Sequence, residues 1–183
     1  MKCPVCKDDL LNHVSLEENV PAYTCSQCHG IWISSGPYLD WLERNGKTLP
    51  DMPCMDVQIP EWDSQGFKLC ADCGKILSRY RVLPNTKFVL DHCGHCNGVW
   101  FDRGEWETMI AHNLLGKINQ FFTNEWQVQL REEETKAELD RVYAEKFGPG
   151  DYTRIKEVRN WLKDHPHKAM LLAFLHADNP YGL

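Results

Sequence analysis

The sequence predicts a small α+β fold: two tandem units, each a β-hairpin followed by a short helix, and then an α-helical C-terminal region. Eight of the nine cysteines fall into four C-x-x-C pairs. The first two pairs and their flanking residues recur in the last two at an offset of 67 or 68 residues, which indicates an internal repeat. From residue 105 onward apolar residues recur with helical periodicity.

In each copy of the repeat, the residues between the two cysteine pairs have the pattern of a β-hairpin. In copy two, residues 76–82 and 87–90 alternate as strands do, around a turn that contains a proline. Copy one has a weaker hairpin pattern, with strands at 10–16 and 23–24. A hairpin of this length returns the second cysteine pair to the first, so we expect each copy to gather four thiols.

The grouping of the cysteines predicts two metal sites. Two C-x-x-C pairs brought together by a hairpin supply four thiolates in a tetrahedron, which Zn²⁺ prefers. An iron–sulfur centre is the alternative for the same ligands. Because four cysteines per ion leave no position open for water, we expect two structural Zn²⁺ ions per chain. The predicted ligands are Cys3, Cys6, Cys25, Cys28, Cys70, Cys73, Cys93 and Cys96.

The cysteines could be paired in two ways. Each ion could be bound by the four cysteines of one copy, or a cross-brace could place Cys3, Cys6, Cys70 and Cys73 on one ion. We favour binding within a copy, because each copy already contains a complete hairpin and four ligands.

Three histidines and the ninth cysteine lie outside this ligand set. His29, His92 and His95 are next to or within the cysteine pairs. We expect them to be exposed or to donate hydrogen bonds to the ligands, and the alternative is that one replaces a cysteine ligand. Cys54 is expected to be a free thiol.

A helix should begin shortly after the second cysteine pair of each copy. Asp102 and Glu105 have the spacing of a capping box, with Asp102 as the N-cap. Ser34 occupies the N-cap position in copy one. An acid/base pair formed by Asp102 and Glu105 is the alternative explanation for the two carboxylates.

The repeat and the composition divide the chain into four predicted regions: a first unit at 1–44, an acidic linker at 45–66, a second unit at 67–112 and a helical region at 113–183. The linker contains three prolines and four acidic residues against one lysine.

The helical region begins with an apolar stripe at a spacing of four residues: Trp106, Ile110, Leu114, Ile118, Phe122 and Trp126. Gly148 to Gly150 should break the helix, with Asp151 as the N-cap of the next helix and Pro166 at the start of the last. We expect these helices to form a packed core.

The motif Cys-Pro-x-Cys, a hairpin, then Cys-x-x-Cys-x-Gly-(Val/Ile)-Trp-x-(Asp/Ser)-x-Gly-Glu resembles the zinc ribbon of the transcription-factor-IIB type. The resemblance covers about 1–44 and 68–112 and implies two zinc ribbons. Copy one has Pro37 where the family has glutamate, and copy two has Ala71 where the family has proline. Copy two matches the motif at Cys93, Cys96, Gly98, Trp100, Asp102, Gly104 and Glu105.

Charge and motifs restrict the functions that the chain could have. The net charge of −6 is unlike that of a cationic nucleic-acid coat protein. A basic stripe that includes Lys68 is found in copy two only, and we expect Asp72 alone to oppose its charge. A phosphate backbone could bind to this stripe. The candidate face for an anionic partner is Lys75, Arg79, Arg81 and Lys87.

The sequence contains no P-loop, nucleophile elbow, H-E-x-x-H motif or dinucleotide fingerprint, so we expect no enzyme. The leading hypothesis is a non-catalytic interaction or adaptor module that binds a protein. The alternative is a nucleic-acid-binding or transcription-associated protein. With no apolar signal segment and a longest apolar run of seven residues, Ala169 to Leu175, we expect a cytoplasmic protein without membrane contact.

Overall fold

The two hairpin units form one six-stranded antiparallel sheet in the computed structural model, which describes residues 1–46, 64 and 66–182 apart from the side chain of Glu18. Most of the predicted linker 45–66, including Cys54, lies outside the described residues. The chain divides into two compact units, Met1–Glu134 and Thr135–Leu183. The first unit contains the whole sheet.

Each copy of the repeat contributes three strands. The strands are β1 Asn12–Ser15, β2 Pro21–Thr24, β3 Ile31–Ile33, β4 Ser78–Arg81, β5 Val89–His92 and β6 Val99–Phe101. Their spatial order is β1-β2-β3-β6-β5-β4, so both predicted hairpins are present as β1–β2 and β4–β5. The third strand of each copy follows its second cysteine pair.

The two copies are joined at the centre of the sheet, where β3 pairs with β6. Trp32 lies opposite Trp100, and the residues on either side pair reciprocally, Ile31 with Phe101 and Ile33 with Val99. An antiparallel pairing of two equivalent strands relates the copies by a local two-fold axis through the tryptophan pair. The cysteine spacing contains no information about this pairing, so the sequence analysis did not predict it.

Each central tryptophan packs against a glycine of the other copy. A Cβ atom built on Gly30 would lie 2.1 Å from Cζ2 of Trp100, and one built on Gly98 would lie 2.2 Å from Cζ2 of Trp32. No side chain fits into such a space. The glycine that precedes Ile/Val-Trp in the motif therefore makes room for the indole ring of the opposite ribbon.

Strand alternation separates two cores on the two faces of the sheet. Ile31, Ile33, Val99 and Phe101 face the helices and belong to a core that includes residues of α1 (Ser35–Asn45) and α2 (Glu105–Ala111). Trp32 and Trp100 face the opposite side, where they pack with Cys3, Cys25, Cys70 and Cys93. One face is thus an ordinary apolar core, and the other consists of aromatic rings and thiols.

Hydrogen bonds on the helical face also join the copies. The hydroxyl of Tyr38 in α1 donates to the carbonyl oxygen of Leu115 at 2.6 Å. The indole nitrogen of Trp106 in α2 donates to Glu17 Oε2, in the turn of the first hairpin, at 2.9 Å. α1 is therefore fastened to the segment that follows copy two, and α2 is fastened to the hairpin of copy one.

The helix predicted to continue from Glu105 is interrupted. α2 ends at Ala111, Asn113 has a positive φ of 54°, and a 3₁₀ helix follows at Leu115–Gln120. The stripe residues Leu114 and Ile118 still enter the core, but the chain reaches it through a bend and not along a straight helix. Periodicity identified apolar positions but not this break.

The second unit is helical, as predicted. Its residues come from the end of α3 (Asn124–Phe147), α4 (Pro149–Lys163) and α5 (Lys168–His176). Gly148, with a φ of 82°, is the N-cap of α4, and Asp151 lies in the first turn, so the predicted N-cap at Asp151 is wrong.

Residues 135–182 also lack the packed core that we expected for this region. Among these residues Leu162 is the one buried apolar side chain, and α5 contains no buried residue. An aromatic cluster of Tyr143, Phe147 and Tyr152 is the main side-chain contact of this unit.

We predict that Gly30→Ala destabilises the protein, because the new methyl group would overlap the Trp100 ring. Overpacking of this kind costs about 1–3 kcal/mol in the free energy of unfolding. Denaturation of the zinc-loaded protein by urea measures it. Gly36→Ala in α1 is the control, because its Cβ atom would meet nothing within 4 Å. Equal stability of the wild type and Gly30→Ala would contradict the proposed close packing.

Candidate metal centres

The hairpins bring the cysteine pairs of each copy together. In each cluster the four sulfur atoms lie within 4.8 Å of one another, and each cluster contains the cysteines of a single copy. The first cysteine of every pair is buried, whereas Cys73 is exposed. The two clusters are Cys3, Cys6, Cys25 and Cys28, and Cys70, Cys73, Cys93 and Cys96.

The distances between sulfur atoms fit a single tetrahedral ion. In the first cluster they are 3.6 Å between Cys3 and Cys28 and 3.9 Å between Cys25 and Cys6. In the second cluster the corresponding distances, Cys70 to Cys96 and Cys73 to Cys93, are 3.4 and 3.5 Å. A tetrahedron with Zn–S bonds of about 2.3 Å has edges of about 3.8 Å. The sulfurs are too far apart for disulfides and too close to surround a multi-iron cluster, so they suit two Zn²⁺ ions.

Each C-x-x-C pair forms the same turn. The residue after the second cysteine has a positive φ, and its N–H donates to the carbonyl oxygen of the first cysteine at 2.8–3.0 Å. In one of the four pairs this residue is a glycine, Gly74, which adopts a positive φ without steric cost. The other three residues adopt the left-handed conformation without being glycine. The four positions are Lys7, His29, Gly74 and Asn97.

Backbone N–H groups in these turns also donate to sulfur atoms. The N–H of Cys6 lies 3.3 Å from Cys3 Sγ, and that of Cys73 lies 3.3 Å from Cys70 Sγ. Burial alone would raise the pKa of the Cys93 thiol, but the N–H groups of Cys96 and His95 outweigh burial and lower it to about 7. These N–H groups favour the thiolate form of Cys93, whereas burial outweighs the backbone hydrogen bonds and raises the pKa of the Cys28 and Cys70 thiols.

The three histidines near the pairs are not part of either cluster. His29 and His95 have exposed side chains, and both act through their backbone groups. His92 is buried, and its ring stacks on Phe122 with centroids 4.0 Å apart. Burial lowers the pKa of His92. Among the described residues, the clusters that could hold a metal ion consist of cysteine alone.

The residue two positions after each central tryptophan accepts a hydrogen bond from its indole nitrogen. Ser34 Oγ accepts from Trp32 at 3.2 Å, and Asp102 Oδ1 accepts from Trp100 at 2.7 Å. This contact explains the Ser/Asp position of the motif. The side chains therefore fix the tryptophan rings, and neither makes the predicted N-cap hydrogen bond.

Asp102 also belongs to a buried network of charges that is found in copy two. Lys68 Nζ donates to Asp102 Oδ2 at 2.8 Å and to Asp91, and both the backbone and hydroxyl of Ser64 donate to Asp102. Burial alone would raise the pKa of Asp102, but the hydrogen bonds from Lys68 and Ser64 lower it. Removing one partner of such a buried pair leaves an uncompensated charge.

Glu105 completes half of the predicted capping box. Its Oε2 accepts a hydrogen bond of 2.7 Å from the backbone N–H of Asp102, but Gly104 is the N-cap of α2. Burial, with the negative charge of Asp102 nearby, raises the pKa of Glu105 to about 9. Glu105 is therefore a buried, protonated group that binds backbone.

The predicted basic stripe is largely neutralised. Lys68 is buried between two aspartates, Arg79 Nε lies 3.5 Å from Asp91, and Arg81 Nη1 lies 2.5 Å from Glu134 in α3. The expectation that Asp72 alone opposes the stripe is therefore wrong. Lys75 and Lys87 remain exposed. Asp91 lies opposite Arg79 because of the register of β4 and β5, and Glu134 lies 53 residues after Arg81 in the chain, so neither contact follows from the local charge pattern.

None of the helices in the described residues is both long enough and apolar enough to cross a bilayer.

We predict two zinc ions per chain, with a first shell of four sulfur atoms at about 2.3 Å. Elemental analysis and X-ray absorption measure the two quantities on the full chain. Cys96→Ser should lose thiolate ligation at the second site because it removes a cluster member, whereas Cys54→Ser should keep two fully sulfur-ligated ions. One ion per wild-type chain, or nitrogen in the first shell, would contradict the assignment.

We predict that Glu105 makes stability fall as pH rises. In the folded state the pKa of Glu105 is about 9, above its ordinary value of 4.5. Between these two pH values the folded state therefore holds a proton that the unfolded state has released. This contribution to the free energy of unfolding changes by up to about 1.4 kcal/mol per pH unit. Glu105→Gln keeps an oxygen acceptor without titrating, so its stability relative to the wild type should increase between pH 6 and 9.

Denaturation of the zinc-loaded wild type and variant over this pH range measures the difference in their free energies of unfolding. The pH dependence of the thiolates is the same in both proteins and cancels in this difference. Glu107→Gln, an exposed position on the same helix, is the control and should follow the wild type. A constant difference between Glu105→Gln and the wild type would contradict a protonated Glu105.

Comparison with known proteins agrees with the geometry. The sequence model of the family described as "Transcription factor zinc-finger", a zinc ribbon of the transcription-factor-IIB type, matches residues 2–44 and 69–112. Searches of curated proteins and of solved structures give no match. Each matched segment contains one cysteine cluster, one hairpin and one central tryptophan. Residues 2–44 and 69–112 thus belong to the transcription-factor-IIB-type zinc-ribbon family, as two tandem copies followed by a helical C-terminal region.

Proposed function

We propose that this protein is a non-catalytic interaction module that binds another protein through an apolar surface of the second ribbon. The observation that carries this proposal is the exposure of Phe67, Leu69 and Ile76, which are 86%, 52% and 63% exposed. We call these three residues the knuckle patch. Large apolar side chains that are exposed together are typical of binding surfaces.

The backbone places the three side chains of the knuckle patch beside each other. Leu69 and Ile76 are directly paired in an antiparallel bridge, so their side chains are cross-strand neighbours. Phe67 lies two residues before Leu69, on the same side of an extended chain. The hydrogen bond from Leu77 N–H to the Lys68 carbonyl oxygen, at 2.9 Å, holds this segment in place.

The zinc site would make this surface rigid. Leu69 immediately precedes the ligand Cys70, and Cys70 N–H donates to the Lys75 carbonyl oxygen at 2.7 Å. A preorganised surface loses little conformational entropy on binding, so more of its apolar contact energy appears as affinity. A structural zinc ion in this position therefore supports binding without any catalytic role.

The first ribbon lacks an equivalent patch. Its corresponding bridge joins Leu10 to Lys2, so a charged side chain takes the position of Leu69. Leu10 is thus paired with a lysine and not with a second apolar side chain, which makes the second ribbon the better candidate for the docking ribbon.

Nucleic-acid binding is the second candidate, and the exposure of Lys75 and Lys87 favours it. Arg79 and Arg81, however, each contact a carboxylate within the protein. A phosphate backbone would have to compete with these carboxylates for both guanidinium groups. Because each neutralised phosphate contributes to affinity through counterion release, two lysines alone would bind weakly.

The absence of catalysis is part of the proposal. Each cluster offers four thiolates to its ion, and a catalytic zinc site normally has three protein ligands and an open position. The buried carboxylates Asp91, Asp102 and Glu105 contact Lys68, Ser64 and backbone N–H groups, which are structural roles.

We predict that Leu69→Glu combined with Ile76→Glu abolishes capture of a host protein by the tagged, zinc-loaded chain. Truncating a central apolar anchor costs about 2 kcal/mol or more, and a charge at the same place adds desolvation. Affinity capture followed by mass spectrometry measures the loss. Leu10→Glu in the first ribbon is the matched control and should keep the partner.

The same proteins should also be tested by fluorescence anisotropy with single- and double-stranded DNA and RNA. We expect the wild type to bind no more tightly than about 10⁻⁴ M, the weak end of non-specific affinity. Tighter, salt-dependent binding that Lys75→Glu with Lys87→Glu removes would favour the second candidate. Retention of the same protein partners by the Leu69/Ile76 variant would exclude the knuckle patch as the binding surface.

A further inference from the structure

The last two helices present an extensive apolar surface. In α4, Ile155, Val158 and Trp161 recur every three residues and lie along one side of the helix. In α5, the seven consecutive residues from Ala169 to Leu175 are all apolar. A helix that is apolar on every side is normally buried. Seven large side chains of the two helices are 38–71% exposed: Ile155, Val158, Trp161, Met170, Leu172, Phe174 and Leu175.

The second unit is too small to bury this surface by itself. Thr135–Leu183 is a unit of about 49 residues, and units of this size usually need a disulfide, a metal ion or association with another chain. Its sequence contains no cysteine, because the last cysteine of the chain is Cys96. Both metal clusters lie in the first unit. Of these three means of stabilising a small unit, association with another chain therefore remains.

The exposed area is sufficient for a stable dimer. A large apolar side chain has about 200 Å² of surface, so seven that are about half exposed present roughly 700 Å². A standard interface buries about 800 Å² on each partner. The summed exposed apolar area of α4 and α5 is thus close to what one side of a dimer needs.

Charge favours a second copy as the occupant. Residues 135–183 contain eight basic and seven acidic side chains, so two copies of this region hardly repel each other. Residues 1–134 contain 12 basic and 19 acidic side chains. This negative charge opposes approach to an anionic membrane or to nucleic acid. Between Lys168 and His176, the two ends of α5, the chain has no ionisable side chain, so the middle of this helix favours an apolar partner over an ionic one.

We propose that two copies of this chain form a homodimer in which α4 and α5 of each copy cover the apolar surface of the other. Such an interface is isologous: the same residues are buried on both partners around a two-fold axis. The dimer would carry two knuckle patches, one on each chain, but it does not depend on their function.

Sedimentation velocity of the full-length, zinc-loaded chain over a concentration series tests the proposal. We expect the wild type to sediment with twice the mass of the 21.3 kDa chain and to dissociate on dilution. Met170→Glu with Leu175→Glu places charges at two exposed positions of α5 and should give a monomer. Leu39→Glu, an exposed apolar position of α1, is the matched control and should remain dimeric.

Hydrogen exchange of the wild type tests the same interface without a variant. Amides of α5 should be protected in the dimer, and their protection should fall as the protein is diluted. A wild type that sediments at 21.3 kDa at every concentration would overturn the proposal. So would a dimer in which α5 exchanges at the same rate at every concentration. Cosedimentation of a monomeric wild type with phosphatidylserine vesicles would identify a membrane as the occupant instead.

Discussion

The pairing of Ile31–Ile33 with Val99–Phe101 is the contact on which the rest of the first unit depends. Both cores are built on the two faces of these six residues. One face receives the helices, and the other receives the tryptophans and the cysteine clusters. A ribbon alone would leave one edge of its third strand without a partner strand and its tryptophan without the glycine of the opposite copy. Two ribbons joined in this way bury the strands at the centre of a six-stranded sheet.

The metal clusters and the tryptophan pair support each other. Trp32 and Trp100 pack against the buried cysteines, so the rings shield thiolates from water while the clusters hold the hairpins over the rings. Each ring also needs a glycine from the opposite copy. Loss of one cluster would therefore disturb the packing of both ribbons. This coupling explains how two units with little apolar core of their own form one ordered sheet.

The cysteine spacing was sufficient to predict the two clusters, both hairpins and the repeat, because these features arise from contacts within about 25 residues of chain. The contacts that were missed depend on how the two copies pair and on which side chains the strand register brings together. Nothing in the cysteine spacing indicates that Trp32 meets Gly98, or that Lys68 and Arg79 contact acidic partners. The helix break near Asn113 was missed because apolar periodicity continues through it, and tertiary packing selects the bend.

The two ribbons share a symmetric frame but differ in what is added to it. Ser34 in the first ribbon only accepts the hydrogen bond of its tryptophan, whereas Asp102 in the second also binds Lys68 and Ser64. That network fixes the chain segment that leads into Phe67 and Leu69. The second ribbon therefore has both an additional anchor and the exposed apolar residues that follow it. The pairing of the third strands is therefore common to both copies, whereas the charged network and the exposed apolar side chains beside it belong to copy two.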